Sequence, residues 1–358
     1  MYYVVRAHIG DPFFYIDLGT EKLIFLNNLE IDAFSEQNKN KSLKAVAVNP
    51  LLEEARKMEG DTSAANKLAL LLLRKYDLSQ KPIEVSNHFP LAMADYLRSK
   101  GINLVITEPF VSDRIQKSTE EIAYIRESLL KTCKAFEYIE HVLHQSVITD
   151  DTLRYKNRVL TAEELKAGVD AVLFAQGMEN TEGLIVSCGP HSAMPHHRGS
   201  GPLRPDQTIV CDIFPRSRTN GYFADMTRTY VKGTPTEEVQ KMYAAVKSAQ
   251  DKARTAIKPG VSVKDIYDIS ARLILDAGFD VGEKGYTHSL GHGLGLDVHE
   301  LPSLSTHSTA VLQPGNVVTI EPGLYYPEWG GVRLEDVVVV TQTGYKNLTD
   351  YKRELVIP

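Results

Sequence analysis

Three histidines, His288, His292 and His299, stand within Thr287-His-Ser-Leu-Gly-His-Gly-Leu-Gly-Leu-Asp-Val-His-Glu300. His288 and His292 are four residues apart, a spacing that suits a helix face, yet Gly291, Gly293 and Gly295 would each cost a helix about 1 kcal/mol. The stretch is therefore expected to be a strand or extended loop whose glycines let the backbone crowd against whatever the rings hold. A single histidine in an apolar run is ordinarily a core residue with its hydrogen bonds met. Three together ask for acids to complete a site.

Four acids answer that request. Asp212 in Thr208-Ile-Val-Cys-Asp-Ile-Phe214 and Glu321 in Val317-Val-Thr-Ile-Glu-Pro-Gly323 sit at the ends of apolar β-like runs, where side chains are normally buried. Asp225 follows Asp212 by 13 residues and Glu335 follows Glu321 by 14. Burying one unpaired carboxylate costs several kcal/mol, so four together require cations or protons. Salt bridges are the plain alternative, with Arg228 and Arg333 nearby in the chain, but two arginines cannot neutralise four acids and leave three histidines unexplained. One divalent ion is the minimal answer and two answer better. Carboxylates with a single histidine make an oxygen-rich donor set, which favours Mn²⁺, Co²⁺ or Fe²⁺ over the thiolate-rich sites of structural zinc. Two such ions sharing a water would lower its pKa towards roughly 7, and the chemistry implied is hydrolysis.

The elements that must carry these residues repeat. Ser118-Thr-Glu-Glu-Ile122 opens a helix with apolar residues at Ile122, Ile125, Leu129, Cys133, Phe136 and Ile139, and Thr236-Glu-Glu-Val239 opens another in the same rhythm. A second helix follows in each half, over Thr161 to Gly177, with Thr161 and Glu164 spaced as a capping box, and over Ser262 to Gly278. Leu203-x-Pro205 then leads to Asp212 as Leu312-x-Pro314 leads to Glu321, seven residues from proline to acid in both. Both halves read helix, helix, strand, acid, loop, acid, strand. Two such copies about a pseudo-two-fold would bring the four acids to their seam. Ahead of them, residues 1 to about 112 alternate short strands and helices as a small α/β domain: a hairpin over Phe13–Ile16 and Leu23–Phe25, a strand from Ala45 to Val48 stopped at Asn49-Pro50, a helix through Thr62 to Tyr76, and a further strand, helix and strand. Glu108-Pro109 reads as a linker.

Composition narrows the partners. The chain has 358 residues, 43% hydrophobic and 24% charged, with a net charge of −6, so it can bury a core and carries no basic footprint for nucleic acid. The N-terminal residues lack the basic start and long apolar run of a signal peptide, and the longest apolar stretch, Leu68 to Leu73, is too short to span a bilayer. A cytoplasmic location without membrane attachment is expected. Cys133, Cys188 and Cys211 form no Cys-x-x-Cys pair and are expected to be reduced thiols.

Asp212, Gly221-Tyr-Phe-Ala-Asp-Met-Thr-Arg-Thr229, Gly291-His-Gly-Leu-Gly-Leu-Asp-Val-His-Glu300, Val318-Thr-Ile-Glu-Pro-Gly-Leu-Tyr325 and Gly331-Val-Arg-Leu-Glu-Asp336 resemble the five-ligand pattern of the pita-bread metallopeptidases. That group includes Xaa-Pro dipeptidase, aminopeptidase P and methionine aminopeptidase. The resemblance covers roughly residues 117 to 358, and the preceding domain resembles, in short form, the N-terminal domain of the dipeptidase and aminopeptidase P branch. It implies an α/β (α+β) architecture with a C-terminal pita-bread catalytic domain over 117–358, and a homodimer acting on short proline-containing peptides. It also implies two divalent metal ions per chain, Mn²⁺ foremost with Co²⁺, Fe²⁺ or Zn²⁺ as alternatives. Asp225 and Glu335 would bridge the metals, Asp212 would chelate one, and His292 and Glu321 the other. Glu321 would also manage the proton of the attacking hydroxide. His288 and His299 would position substrate or stabilise the oxyanion. His196 matches the substrate-side histidine, with His197 as its alternative, and Arg333 would orient Glu335 or a substrate carboxylate. The sequence departs from the pattern at one place: Asp212 is followed by Ile213-Phe214-Pro215-Arg216 instead of Asp-x-Gly. The loop from Phe214 to Gly221 is two residues longer than usual and carries Arg216 and Arg218.

An Xaa-Pro dipeptidase is the expected activity. Aminopeptidase P is the first alternative, then an enzyme of this fold acting on a small non-peptide substrate such as creatine or a sulfonium compound. A non-catalytic binding protein of the same fold is disfavoured because all five ligand positions stand.

Overall fold

The protein, described by a computed structural model, is defined at residues 2–7, 9–38, 40 and 42–358. The chain divides into two compact units, Met1–Ser112 and Asp113–Pro358. In the first, Phe14–Asp17 pairs antiparallel with Lys22–Leu26, which pairs in parallel with Leu43–Ala47. Alternate residues of Lys22–Leu26 feed opposite cores: Leu23 and Phe25 pack with Leu51, Ala55, Leu68 and Leu72, whereas Ile24 and Leu26 pack with Phe34 and Leu43. Asn49-Pro50 does not merely stop the strand before it. It opens a helix, Asn49–Arg56, because a proline in the first turn sacrifices an N–H that has no helical partner anyway.

In the second unit, helices α1 (Thr119–Gln145) and α2 (Ala162–Ala175) precede strands β1 (Ile185–Cys188), β2 (Ile209–Ile213) and β3 (Met226–Lys232). Helices α3 (Glu237–Ala256) and α4 (Val263–Asp276) then precede β4 (Gly291–Gly293), β5 (Glu300–Leu304), β6 (Val317–Ile320), β7 (Gly323–Tyr326), β8 (Gly330–Arg333), β9 (Asp336–Val340), β10 (Tyr345–Asn347) and β11 (Val356–Ile357). The expected doubling is visible strand by strand. One sheet runs β1-β2-β3-β11 and the other β5-β4-β6-β9-β10, so β1, β2 and β3 correspond to β4, β6 and β9. Asp206 and Gly315, each directly after the proline that leads into the acid-bearing strand, both take positive φ (61° and 89°). The acid that opens the second strand sits one residue before it in each half: Asp225 before β3, Glu335 before β9. The registers differ, since Asp212 pairs with Thr227 whereas Ile320 pairs with Asp336. An offset of two residues keeps every side chain on its face, so the acids still converge.

Local signals set the helix ends. Ser118 and Glu121 close a reciprocal capping box on α1, whose residues Ile125, Leu129, Cys133, Phe136 and Ile139 are buried. Thr161 caps α2 through the Glu164 N–H, but the Glu164 carboxylate pairs with Arg158 (3.1 Å) and leaves that expected box half-formed. Gly177 and Gly278 end α2 and α4 with φ of 71° and 88°. Three apolar clusters fill the unit. One lies under each pair of helices, and a third, including Ile125, Leu129, Tyr222, Phe223, Leu294, Val298, Val317 and Val337, draws residues from both halves. No helix among the described residues is long and apolar enough to cross a membrane, and all three cysteines are free thiols.

Candidate metal centre

Asp225, His292 and Glu335 offer ligand atoms that all lie within 4.8 Å of one another. His292 stands in β4, whose backbone passes so close to its neighbours that a Cβ at Gly291 would sit 2.1 Å from the Thr319 carbonyl and one at Gly293 would sit 2.3 Å from that of Leu301. This is the extended, glycine-lined path expected, and it fixes the ring. His292 Nδ1 lies 3.1 Å from the Gly293 carbonyl, so Nδ1–H donates there and Nε2 turns to the acids. Nε2 is 3.2 Å from Glu321 Oε1 and 3.7 Å from Asp225 Oδ2. Asp212 joins through Arg333, whose Nη2 donates to Asp212 Oδ2 (2.7 Å).

The charges are not balanced by protein groups. Burial, and then the neighbouring Asp212, push the Asp225 carboxyl well above the usual range; burial and then Asp225 do the same to Glu335. For Glu321, burial acts in the same sense but is overcome by the hydrogen bond and charge of His292, with His288 and Arg333, which hold it at about 2. Burial likewise opposes the His292 imidazolium, and Glu321 and Asp225 outweigh it to lift that ring to about 9. Two buried oxygens, Asp212 Oδ1 and Glu335 Oε1, have no hydrogen-bond partner among the described residues. A divalent cation fits this set, because it would satisfy both oxygens and relieve the crowding of carboxylates at once.

Around the acids runs a chain of side chains that the sequence reading missed in part. Arg333 Nη1 donates to the Tyr325 hydroxyl (2.7 Å), which faces His288 Nε2 (2.9 Å), while His288 Nδ1 faces the Ser289 carbonyl (2.7 Å). Burial raises the Tyr325 hydroxyl to about 12, against the pull of Arg333, and burial lowers His288. Tyr325 therefore donates to a neutral His288, both of whose nitrogens are engaged. Arg333 Nε reaches Thr227 Oγ1 (3.3 Å), and Thr227 in turn donates to Glu335 Oε2 (2.8 Å). Arg333 thus touches Asp212 directly and Glu335 only through Thr227, and its guanidinium is committed to protein groups. Arg228 pairs with Asp336 (2.9 Å) and with none of the four acids. The missed residues carried a faint signal. Thr227, and Thr319 whose hydroxyl donates to Glu321 Oε1 (3.2 Å), stand two positions from Asp225 and Glu321, the spacing that puts neighbours on one face of a strand.

Beside the centre lies a cleft of about 470 Å³ lined by Met194, Pro195, His196, His197, Thr287 and His288. His196 is exposed on its wall. His197 braces the loop instead: its ring stacks on His191 at 4.0 Å and its Nδ1 accepts from the Gly199 N–H (3.0 Å). The His299 ring stands edge-on to His292 at 4.3 Å, and the charge of His196 acts on both His288 and His299. The long loop after Asp212 spends its charge elsewhere. Arg216 pairs with Glu179 (2.6 Å) in a two-stranded ribbon, and Arg218 lies over the Phe174 ring.

Residues 123–342 match the sequence pattern of metallopeptidase family M24. The Xaa-Pro dipeptidase of Pyrococcus furiosus is 31% identical over 99% of this chain and 92% of its own. Among solved structures, the prolidase from Pyrococcus horikoshii OT3 superposes with a TM-score of 0.79 at 28% identity, over 99% of this chain and 92% of that one. An X-Pro aminopeptidase from Thermotoga maritima does so with a TM-score of 0.74 at 26% identity, over 94% and 88%. Together with the doubled halves, these likenesses identify the expected mixed α/β pita-bread fold.

Proposed function

The chain belongs to metallopeptidase family M24, whose members are metal-dependent hydrolases, and on that premise we propose that it is an Xaa-Pro dipeptidase working with two divalent ions. The observation that carries this is the pair of orphaned buried oxygens, one on Glu335 within the Asp225–His292–Glu335 cluster and one on Asp212. The Xaa-Pro preference is supported by the Pyrococcus furiosus dipeptidase, which matches almost the whole chain. The oxygen-rich donor set favours Mn²⁺. When bound, the ions supply a water of lowered pKa and a Lewis acid for the scissile carbonyl.

This chain's own residues do the rest. Asp225 and Glu335 would be shared by the two ions, Asp212 would hold one, and His292 with Glu321 would hold the other. Glu321 has the most exposed side chain among Asp212, Asp225, His292 and Glu321 (15%), so it is the carboxylate that would take the proton of the nucleophile and return it to the leaving amine. His196 and His299 face the substrate. His288 acts through Tyr325, fixing the Arg333 guanidinium against Asp212. Aminopeptidase P activity is the second reading, supported by the likeness to the Thermotoga maritima enzyme. The test is metal content by mass spectrometry together with cleavage of matched Xaa-Pro dipeptides and Xaa-Pro-Xaa tripeptides. We expect about two ions per chain and a kcat/KM at least about tenfold higher on dipeptides. Faster cleavage of the tripeptides would replace the dipeptidase reading with the aminopeptidase one.

A further inference from the structure

Directly after His299 comes a carboxylate that the mechanism above does not use. The Glu300 side chain is 7% exposed and collects donors from two distant parts of the chain. Its Oε1 accepts from the backbone N–H groups of Leu296 (2.8 Å) and Asp297 (3.1 Å) and from the Arg114 guanidinium, and its Oε2 accepts from Lys117 Nζ (2.8 Å). Arg114 also reaches Asp297 Oδ2 (2.7 Å). The loop wraps the carboxylate so closely that a Cβ at Gly295 would lie 2.6 Å from both of its oxygens. Lys117 has a side chain only 2% exposed and is pinned through its backbone N–H to the Gly315 carbonyl (2.8 Å). The counter-ions thus come from residues 183 and 186 positions earlier, and Lys117 among them is buried. At the other end of the loop, the Gly295 carbonyl accepts from the Phe223 N–H (2.8 Å), two residues before Asp225. These anchors fix the backbone on either side of His299, whose ring stands beside that of His292.

We propose that Glu300, held by Lys117 and Arg114, is a positioning residue that fixes the 295–299 loop and thereby sets His299 against His292 and the substrate cleft. The inference rests on the reading of the site as an Xaa-Pro dipeptidase with His299 on the substrate side. A nest that only stabilised the fold would lower the melting temperature without selecting which step fails. A positioning nest makes catalysis depend on Lys117 only for as long as His299 is present.

The experiment is a double-variant cycle in the full-length, Mn²⁺-loaded protein, on the dipeptide that wild type cleaves best. Lys117→Met is expected to keep the wild-type metal content, to lower kcat by about ten- to a hundredfold, and to leave KM within about threefold. Lys117→Arg, which restores the charge, should recover most of the loss. In a His299→Ala background, Lys117→Met should cost almost nothing further. Wild-type kcat in Lys117→Met, or losses that multiply in the double variant, would overturn the proposal. If Lys117→Met does not fold, Arg114→Ala, at a side chain 28% exposed, enters the same cycle with the same two outcomes. The His299 ring resonance by NMR in chelator-treated protein separates this proposal from the activity it rests on. A wild type inactive on every Xaa-Pro dipeptide sinks the dipeptidase reading. In that case a His299 signal displaced by Lys117→Met still supports the positioning, and an unmoved one overturns it.

Discussion

Two groups of buried charge meet at the seam of the catalytic unit, and they are built on opposite terms. Arg228, 1% exposed, spends every donor: Nε on the Lys352 carbonyl (2.8 Å), Nη1 on the carbonyls of Thr227 (2.8 Å) and Glu335 (2.7 Å), and Nη2 on Asp336 (2.9 Å) and the Tyr351 carbonyl (3.2 Å). Both Asp336 oxygens are likewise taken, the second by Arg254 (2.8 Å), whose Nε is the atom of this group left without a partner among the described residues. One residue away, Glu335 keeps an oxygen with no partner among the described residues, and so does Asp212. A buried network that is fully satisfied needs nothing more, whereas one left open by the protein is completed by something else. The closed network holds the backbone from which the open one projects.

That contrast can be broken at either group. The largest effect is expected at the open one. Glu335→Gln removes an anionic oxygen from the centre, and dipeptide cleavage should fall by about a thousandfold, on the order of 4 kcal/mol in the barrier. The melting temperature of the chelator-treated protein should stay level or rise, because the native site already favours an uncharged Glu335. A marked loss of stability without metal would show that this carboxylate is structural. At the closed group the signs reverse: Arg228→Met should destabilise the protein by about 3–5 kcal/mol in denaturant titrations, with or without metal. A stability change below about 1 kcal/mol would contradict the satisfied-network account.

A smaller effect sharpens the comparison through pH. Asp225 and Glu335 keep protons in the folded state that the unfolded chain sheds above about pH 4, so raising the pH removes stability from chelator-treated protein. His292 acts in the same direction. Its contribution is present in full below about 6.5 and is lost as the pH rises through about 9. Glu321, held at about 2, contributes stability above about 4.5 and loses none of it in that window. The melting temperature with chelator should therefore fall from about pH 5 to about pH 9, and with Mn²⁺ the trend should flatten or invert, since the cation takes the place of the protons. A chelator-treated protein that gains stability across this range would refute the assignment of the protons.

The sequence made most visible what is local or periodic. The glycine-spaced histidines, the acids at the ends of apolar runs and the capped helices all announce themselves within a few residues, and the structure gathers them. The allegiance of long side chains was hidden. Arg333 lies two residues from Glu335 in the chain but bonds to Asp212, because β8 carries it across the seam, a choice that no local spacing encodes. Tyr325 becomes its partner only through the β7–β8 hairpin, and Glu300 finds Lys117 only after the loop has closed. His288 lines the cleft as its position suggested, but what the sequence could not show is that Tyr325 and Ser289 occupy both of its nitrogens. The helix Asn49–Arg56 was masked because Asn49-Pro50 reads equally well as a stop and as a first turn.

The acceptors of Arg228 at Tyr351 and Lys352, and strand β11 at Val356–Ile357 beside β3, all follow the four acids and the histidine of the centre in chain order. During synthesis, every ligand side chain leaves the ribosome before the segment that locks their backbones together. A polypeptide released at Glu335 would carry the whole ligand set with its hinge unlatched. Assembly of the centre thus waits on residues 351–357, whatever the order in which its halves collapse.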